Sequence, residues 1–267
     1  MFTQYFGLKF NPFSKELNEG DAFITKDSKE LLSRLEYIKR NRGFFLLTAD
    51  PGFGKTTVLR KFAASLNPGL FKVCYSALAS LTVMDFYRSL VFRMGENPAY
   101  QKIKMFEQLQ RLISDSYYER RITPVFILDE AQSLSGGVLE DLRMIFNFKM
   151  DSENPFIVIL AGNSNIRRKL QLTANQALRQ RVIGNYHMTG LLREEIGGYI
   201  DSRLALAGAP NSRIFTEAAL ESLFVSSGGA MRMVNSLATA SLACACSQGT
   251  DVIDEDIIFH AGRDIEI

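Results

Sequence analysis

An apolar segment that runs directly into a glycine-rich turn constrains the fold of this chain more than any other feature. The segment is FFLLTADPGFGKTTVLR, from Phe44 to Arg60. Its first five residues have the pattern of a buried strand, and a helix is predicted to begin near Lys55. The eight residues from Ala49 to Thr56 match the spacing of a phosphate-binding loop, except that alanine occupies the first glycine position. A phosphate loop between a strand and a helix predicts a nucleotide site.

Each later position of the loop has a chemical role in binding phosphate. Glycines allow the backbone to curl so that successive N–H groups face an anion. Lys55 is predicted to reach the β- and γ-phosphates of ATP, and the Thr56 hydroxyl to bind Mg²⁺. Ala49 needs only a negative φ, so we expect the missing glycine to matter little. The residues predicted to contact nucleotide here are Pro51, Gly52, Phe53, Gly54, Lys55, Thr56 and Thr57.

Apolar runs of strand length recur along the first two thirds of the chain. They are FKVCYSA from Phe71, PVFILDE from Pro124, PFIVILAGN from Pro155 and, more weakly, GNYHMTG from Gly184. Near-continuous apolar runs are typical of parallel strands that helices cover on both faces.

Helical patterns separate these runs and then replace them after Leu191. We expect Ser28 to cap the first long helix and Gly43 to stop it. Order along the chain indicates a parallel sheet with a small C-terminal helical lid, divided into residues 1–190 and 191–267. The other predicted helices are Thr82 to Met94, Gln101 to Tyr118, the stripe Ile196, Ile200 and Leu204, the segment from Thr216, Ala230 to Ala245, and a last one capped by Asp254.

Two adjacent carboxylates follow the third apolar run, at the end of a strand where ligands bind in open α/β sheets. Asp129 is predicted to hold the Mg²⁺ shell, and Glu130 to orient and deprotonate the attacking water. The pair favours a hydrolase over a kinase, which would need an acceptor site. Asn163 follows the next run, where its amide could hold the water or a γ-phosphate oxygen. It could also simply cap the helix that starts at Ser164.

Composition excludes several other classes of protein. A net charge of +2 permits an anionic partner without demanding one. No apolar run approaches the roughly 18 residues of a membrane span, and the N-terminus does not resemble a signal peptide, so we expect a cytoplasmic protein without membrane contact. Cys244 and Cys246 are expected in a helix core rather than at a metal, because nearby ligands are missing. His187 and His260 are expected to be structural.

The chain resembles an AAA+ ATPase, and within that group the ExeA-like family that includes the transposition regulators MuB, TnsC, TniB and IstB. The resemblance covers nearly the whole chain. It rests on YFGLKFNPF, GFFLLTADPGFGKTT (Walker A), FILDEAQSL (Walker B), ILAGNSNIRRKL (sensor 1), LRQRV, and the lid segments YIDSRLALAG and GGAMRMVNSL. The sequence departs from the family at Ala49 and at Phe53, whose ring is expected to be exposed.

This resemblance implies an α/β P-loop fold, a doubly wound five-stranded parallel sheet with a C-terminal helical lid. It places Asn11, Pro12 and Phe13 near the adenine, makes Asn163 sensor 1, and brings Arg232 to the γ-phosphate. Arg181, or failing that Arg179, would enter the nucleotide site of a neighbouring subunit, so that ATP holds a homo-oligomer together. Alternatively, both arginines lie on a solvated helix face.

The use made of ATP is less tightly constrained than its binding. No second catalytic constellation is evident, so the output is expected to be conformational or based on assembly. Double-stranded DNA, read through its backbone, is the partner favoured by the resemblance. The predicted DNA contacts are Ser80, Thr82, Lys102 and Lys104; a basic run from Arg167 is equally well a helix surface.

Three functions remain open at the level of sequence. The first is a transposition regulator that coats target DNA as a ring or helical filament and recruits a transposase. The second is a secretion-assembly ATPase like ExeA. We expect this function less than the first, because the chain ends without the membrane span and cell-wall-binding region of that relative. The third is a replication-initiation or helicase-loader ATPase, which would usually add a sequence-reading domain.

Overall fold

Five parallel strands form the sheet, in the order β2-β3-β4-β1-β5. The computed structural model describes residues 2–14, 23–77, 82–210 and 213–265. The predicted five-stranded parallel sheet with C-terminal helices is confirmed. The strands are β1 Gly43–Ala49, β2 Phe71–Ala77, β3 Thr123–Asp129, β4 Ile157–Gly162 and β5 Val182–Met188.

Helices connect the strands and make up most of the rest of the described chain. A π-helical turn, Asp115–Glu119, extends α5, and a short 3₁₀ turn, Ala131–Ser133, follows β3. The α-helices are α1 Phe2–Tyr5, α2 Lys26–Asn41, α3 Lys55–Ser65, α4 Val83–Arg93, α5 Lys102–Ser114, α6 Gly136–Ile145, α7 Ser164–Gln171, α8 Gln176–Gln180, α9 Ile196–Leu206, α10 Glu217–Ser227, α11 Met231–Gln248 and α12 Glu255–Ile265.

The chain folds into two compact units. The sheet unit comprises Glu30–Asp50 and Lys55–Met188, and the helical unit comprises Met1–Lys29, Pro51–Gly54 and Thr189–Ile267. The domain boundary that we placed between residues 190 and 191 stays a prediction.

Within the sheet unit, strands β1, β3 and β4 are buried along their whole length. Phe44 and Leu46 of β1 lie in a core shared with helices α4 to α8. Phe45 and Leu47 alternate with them, so they point to the opposite face of the sheet, and they are buried as well. Burial on both faces explains why these strands appear in the sequence as continuous apolar runs.

The helical unit has a separate apolar core. The predicted stripe of Ile196, Ile200 and Leu204 is fully buried in it. Phe13 joins this core through an edge-on contact with Phe215. Cys244 and Cys246 lie on α11 and pack against the same core, as predicted.

The predicted ends of the first long helix are wrong. The helix α2 begins at Lys26, and the Thr25 hydroxyl accepts a hydrogen bond from the Ser28 N–H at 2.9 Å. Thr25 therefore caps the helix, and Ser28 lies within the first turn, where its N–H is the donor to that cap. At the other end, Arg42 turns the chain with a φ of 54°, and Gly43 is the first residue of β1.

Candidate functional site

The glycine loop has the conformation that a phosphate loop needs. Gly52 and Gly54 adopt φ values of 91° and 88°, which residues with a side chain rarely adopt. Ala49 does not have a positive φ, and it is the buried last residue of β1. An alanine is therefore compatible with the first loop position, as predicted from its need for a negative φ.

Both loop glycines also pack closely against the start of α11 in the helical unit. The Gly52 carbonyl accepts the Arg232 backbone N–H at 3.2 Å, and a Cβ on Gly52 would lie 3.0 Å from the Arg232 Cβ. A Cβ on Gly54 would lie 3.1 Å from the Met231 sulfur. Arg232 is exposed, and its backbone lies beside the loop that is predicted to bind phosphate.

The Phe53 ring was expected to be exposed, and this is wrong. Phe53 is half-buried against Gly190 of the helical unit. Gly190 has a φ of 80°, and a side chain there would overlap the ring. Glycine at position 190 thus provides the space that the phenylalanine fills.

Cationic, hydroxyl and carboxylate groups converge in the sheet unit at the start of α3 and the end of β3. The Lys55 ammonium lies 3.6 Å from Asp129 Oδ1 and 3.9 Å from Glu130 Oε1. The Thr56 hydroxyl donates to Asp129 Oδ2 at 3.2 Å. The side chains of Lys55 and Asp129 are 11% and 4% exposed, whereas that of Glu130 is 54% exposed. The structure therefore brings these four predicted residues together.

Tyr75 is a member of this cluster that sequence reasoning missed. Its hydroxyl donates to Asp129 Oδ2 at 3.2 Å. Partial burial, and then the negative charge of Asp129, raise the pKa of the Tyr75 phenol. Ala77 pairs with Asp129 across β2 and β3, which places the ends of these strands side by side. The adjacency of β2 and β3 would have been the signal.

Gln132 is a second missed residue. Its amide donates to Glu130 Oε2 at 2.5 Å and accepts the Asn163 N–H at 3.1 Å. Asn163 does cap α7, since its side chain accepts the Asn165 N–H at 2.9 Å. Strands β3 and β4 are paired, so Asn163 follows the strand beside the one that precedes Glu130.

The two candidate finger arginines differ in their surroundings. Arg181 directly follows α8, and its side chain is 14% exposed, with the guanidinium 2.6 Å from Asp151 and 2.6 Å from the Arg143 carbonyl. Arg179 is exposed. Within the described part of the chain, Arg179 has no ion pair of this kind.

The predicted DNA contacts are engaged in local contacts or lie outside the described residues. Lys102 pairs with Asp141 at 2.8 Å, and Lys104 with Glu107 at 2.9 Å. Thr82 caps α4 by accepting the Asp85 N–H. Ser80 is outside the described residues.

Two further sets of residues, one in the N-terminal segment and one in the first turn of α3, were predicted to contact nucleotide. Asn11 accepts the Phe13 N–H at 3.0 Å, and Pro12 and Phe13 are buried in the helical unit. Thr57 is exposed in the first turn of α3. Their contact with nucleotide stays a prediction.

Residues 38–170 match the AAA domain family, and this segment contains the phosphate loop, Tyr75, Asp129, Glu130 and Asn163. The chain belongs to the AAA+ ATPases. The AAA domain is a nucleotide-binding domain, so the cluster described above is the candidate nucleotide site of an AAA+ protein.

The AAA+ chain is similar to proteins of known sequence and structure. It is 32% identical over 259 residues to the general secretion pathway protein A of Aeromonas hydrophila, covering 95% of this chain and 46% of that relative. Among solved structures it is similar to Cdc6p of Pyrobaculum aerophilum (TM-score 0.70, 15% identity, 95% of this chain and 70% of that one). It is also similar to the ORC2 protein of Aeropyrum pernix in its ADPNP–ADP complexes (TM-score 0.66, 17% identity, 95% and 71%). These structures share the fold of the AAA+ chain.

The described residues contain neither a candidate membrane span nor a cluster of metal-binding side chains. None of the helices in residues 2–14, 23–77, 82–210 and 213–265 combines the length and apolarity that crossing a bilayer requires. The same ranges contain no group of three or more histidine, cysteine or acidic residues that could hold a metal by themselves. A metal at the candidate site would therefore need ligands of other types in addition to a carboxylate, such as hydroxyl, phosphate or water oxygens.

Proposed function

We propose that this AAA+ chain binds ATP with Mg²⁺ and hydrolyses it to ADP and phosphate. The observation that carries the proposal is the convergence of the loop lysine, the adjacent hydroxyl and the strand-end carboxylates. Lys55 and Thr56 come from α3 and Asp129 from β3, and the Lys55 ammonium and the Thr56 hydroxyl lie 3.6 Å and 3.2 Å from the two carboxylate oxygens of Asp129. The ADPNP–ADP complexes of the structurally similar ORC2 protein are consistent with an adenine nucleotide.

The oxygen atoms at this site are suitable ligands for Mg²⁺. Magnesium prefers hard oxygen ligands, and it usually takes one or two from the protein and the rest from water and phosphate. The Thr56 hydroxyl and an Asp129 carboxylate oxygen are 3.2 Å apart. Adjacent octahedral ligands at about 2.1 Å from the ion are separated by a similar distance. When bound, the ion would neutralise charge on the β- and γ-phosphates.

Glu130 is the proposed general base. Its side chain lies at the end of β3 and is exposed enough to contact a water molecule. Lys55 is proposed to hold the phosphate that this water attacks, and its ammonium lies 3.9 Å from Glu130 Oε1. Asn163 and Arg232 are proposed to contact the γ-phosphate side of the nucleotide.

We propose that the hydrolysis supports assembly in a general secretion pathway. The support is the 32% identity to general secretion pathway protein A over 95% of this chain. The chain spans 46% of the length of that relative, so its partners belong to this proposal. The alternative that we set beside transposition is thereby the better supported one.

DNA binding and recruitment of a transposase stay predictions with less support. The charges of Lys102 and Lys104 are compensated by Asp141 and Glu107, so each contributes little free positive charge to a phosphate backbone.

Assembly is proposed to use Arg179 as the residue that enters a neighbouring subunit. Arg181, which we considered first, would have to break its contacts with Asp151 and the Arg143 carbonyl to do so. Asp151 is half-exposed, so losing this ion pair together with the hydrogen bond to the carbonyl costs about 2 kcal/mol. Arg179 is exposed and pays no such cost.

The test is a measurement of ATP turnover and nucleotide affinity, with and without Mg²⁺ and with and without duplex DNA. Lys55→Ala should weaken ATP binding by at least about tenfold, because it removes a charged phosphate ligand. Glu130→Gln should retain binding and lower turnover by about 100-fold or more. Undiminished turnover in Glu130→Gln would remove Glu130 from the role of base. Stimulation by DNA at low salt would return the transposition hypothesis to first place.

A further inference from the structure

The side chain of Gln132 joins the ends of two neighbouring strands. After β3 the chain turns at Glu130, whose φ of 57° is left-handed, and enters the 3₁₀ turn Ala131–Ser133. The turn brings Gln132 between Glu130 and Asn163. Its NH₂ group donates to Glu130 Oε2 at 2.5 Å, and its carbonyl accepts the Asn163 N–H at 3.1 Å. Only one orientation of a glutamine amide makes both bonds, because NH₂ only donates and C=O only accepts.

The surroundings of Gln132 are shaped to hold it there. Gly162, the last residue of β4, would place a Cβ only 2.5 Å from the Gln132 amide oxygen, so a side chain at 162 is incompatible with this position. The Lys169 ammonium on α7 donates to the Gln132 backbone carbonyl at 2.6 Å and to that of Leu134 at 2.8 Å. The turn is thus attached to β4 and α7, and the amide NH₂ is directed at Glu130.

We propose that Gln132 is a positioning residue for Glu130, an inference that rests on the ATP hydrolysis proposed above. The Glu130 side chain is 54% exposed, so few packing contacts restrict its rotamers. The bond to Gln132 engages Oε2 and leaves Oε1, the oxygen on the side of Lys55, to accept a proton from water. Gln132 thereby sets both the orientation of the carboxylate and which oxygen acts.

The same amide couples Glu130 to Asn163. The amide group is planar and both bonds are made by its terminal atoms, so a displacement of the β4 end moves the donor that holds Glu130. Asn163 is the N-cap residue of α7, so the position of that helix is transmitted to the proposed base. The coupling runs through a single side chain and can be removed by one substitution.

The kinetics of ATP hydrolysis in two Gln132 variants test the two hydrogen bonds that the amide makes. Gln132→Ala removes both bonds, and turnover should fall about 10- to 100-fold with ATP affinity unchanged, because only orientation is lost. Gln132→Glu keeps an acceptor for the Asn163 N–H but places a carboxylate against Glu130, and turnover should fall at least as far. Gln171→Ala, which removes an exposed glutamine at the end of α7, is the matched control and should be unchanged. Full turnover in Gln132→Ala overturns the inference, and so does a loss of turnover that is matched by lost affinity and a lowered Tm.

A second measurement does not depend on hydrolysis. With ¹⁵N-asparagine labelling, Glu130→Ala should shift the Asn163 amide resonance in the otherwise wild-type chain and leave it unshifted in the Gln132→Ala background. Equal shifts in the two backgrounds, or none in either, overturn the inference. A wild-type chain that hydrolyses no ATP overturns the proposed function, and this measurement then decides on Gln132 separately.

Discussion

Asp129 receives more hydrogen bonds than any other side chain of the candidate site. The Thr56 and Tyr75 hydroxyls both donate to Oδ2, and the Glu130 backbone N–H donates to Oδ1 at 2.9 Å. Lys55 adds a positive charge at 3.6 Å from Oδ1. A carboxylate that is 4% exposed and held at both oxygens has one orientation, which suits it to hold an ion in a fixed geometry.

Tyr75→Phe tests the contribution of this second hydroxyl. The substitution removes only the donor to Asp129, so the Mg²⁺ concentration at half-maximal turnover should rise about tenfold, as for the loss of other residues that orient a metal ligand. A magnesium titration of ATP hydrolysis measures the change. Tyr100→Phe, on a side chain that is 93% exposed, is the control. Identical magnesium curves for all three proteins would exclude a role for Tyr75.

Gly190→Ala tests the packing of Phe53. A Cβ would overlap the ring and the Gly229 carbonyl, and the φ of 80° disfavours alanine in any case. We expect a loss of about 3 kcal/mol in the free energy of unfolding. Gly249→Ala has a similar φ of 70° with nothing within 4 Å, so it should cost only about 1 kcal/mol. Denaturant unfolding compares the two variants, and equal losses would mean that Phe53 does not fill this space.

The residues of the candidate site fall into two groups: those that a local sequence motif predicts, and those that only the order of the strands brings to the site. Lys55, Thr56, Asp129 and Glu130 follow from local motifs, because the chemistry requires those residue types at fixed offsets from a strand. Tyr75 and Gln132 have no such offset. Each acts across a strand pair, so their roles depend on the order β2-β3-β4, which spacing along one sequence does not reveal.

At the scale of elements, the strands were predictable and the helix ends less so. Burial on both faces makes β1, β3 and β4 visible as apolar runs, and it is a property of the strands themselves. The start of α2 depends on whether Thr25 or Ser28 caps it, and both have the required hydroxyl.

Arg179 in the short helix α8 and Arg181 just after it are predicted to differ in their effect on stability. Arg181→Ala removes contacts with Asp151 and the Arg143 carbonyl and should lower the free energy of unfolding by about 2 kcal/mol. It also releases the turn at Lys149, Met150 and Asp151, three successive residues with positive φ. Arg179→Ala should leave stability within about 0.5 kcal/mol of the wild type.

The same two variants distinguish stability from assembly. Light scattering with a non-hydrolysable ATP analogue should show large species for the wild type and none for Arg179→Ala. Assembly by Arg179→Ala together with failure of a folded Arg181→Ala would restore Arg181 as the finger.

At the scale of the whole molecule, buried groups that keep their protons make the fold sensitive to alkali. Burial raises the pKa of the Cys74 thiol to about 11, from an ordinary 9.0. Burial also raises the pKa of Tyr87 and of Tyr199. The unfolded chain loses these protons at lower pH than the folded one. The free energy of unfolding is therefore unaffected below pH 9 and falls as the pH rises through 11.

Cys74→Ala tests this dependence. The thiol accounts for about 2 to 3 kcal/mol of the loss when titration is complete, from its shift of two units. The fall of Tm between pH 8.5 and 11 should therefore be shallower in Cys74→Ala than in the wild type. Cys246→Ala, which retains Cys74, is the control. Parallel curves for the two variants would assign the alkaline loss to other groups.

The position of β1 between β4 and β5 has a consequence for biosynthesis. Gly43 pairs with Ile157 and Phe44 with Val182, so both neighbours of β1 emerge from the ribosome more than a hundred residues after it. Contacts of such sequence separation form slowly, and until they form the apolar strands are open to aggregation. A nascent chain that stops before residue 157 carries the complete phosphate loop but neither β4 nor β5, the two strands that pair with β1.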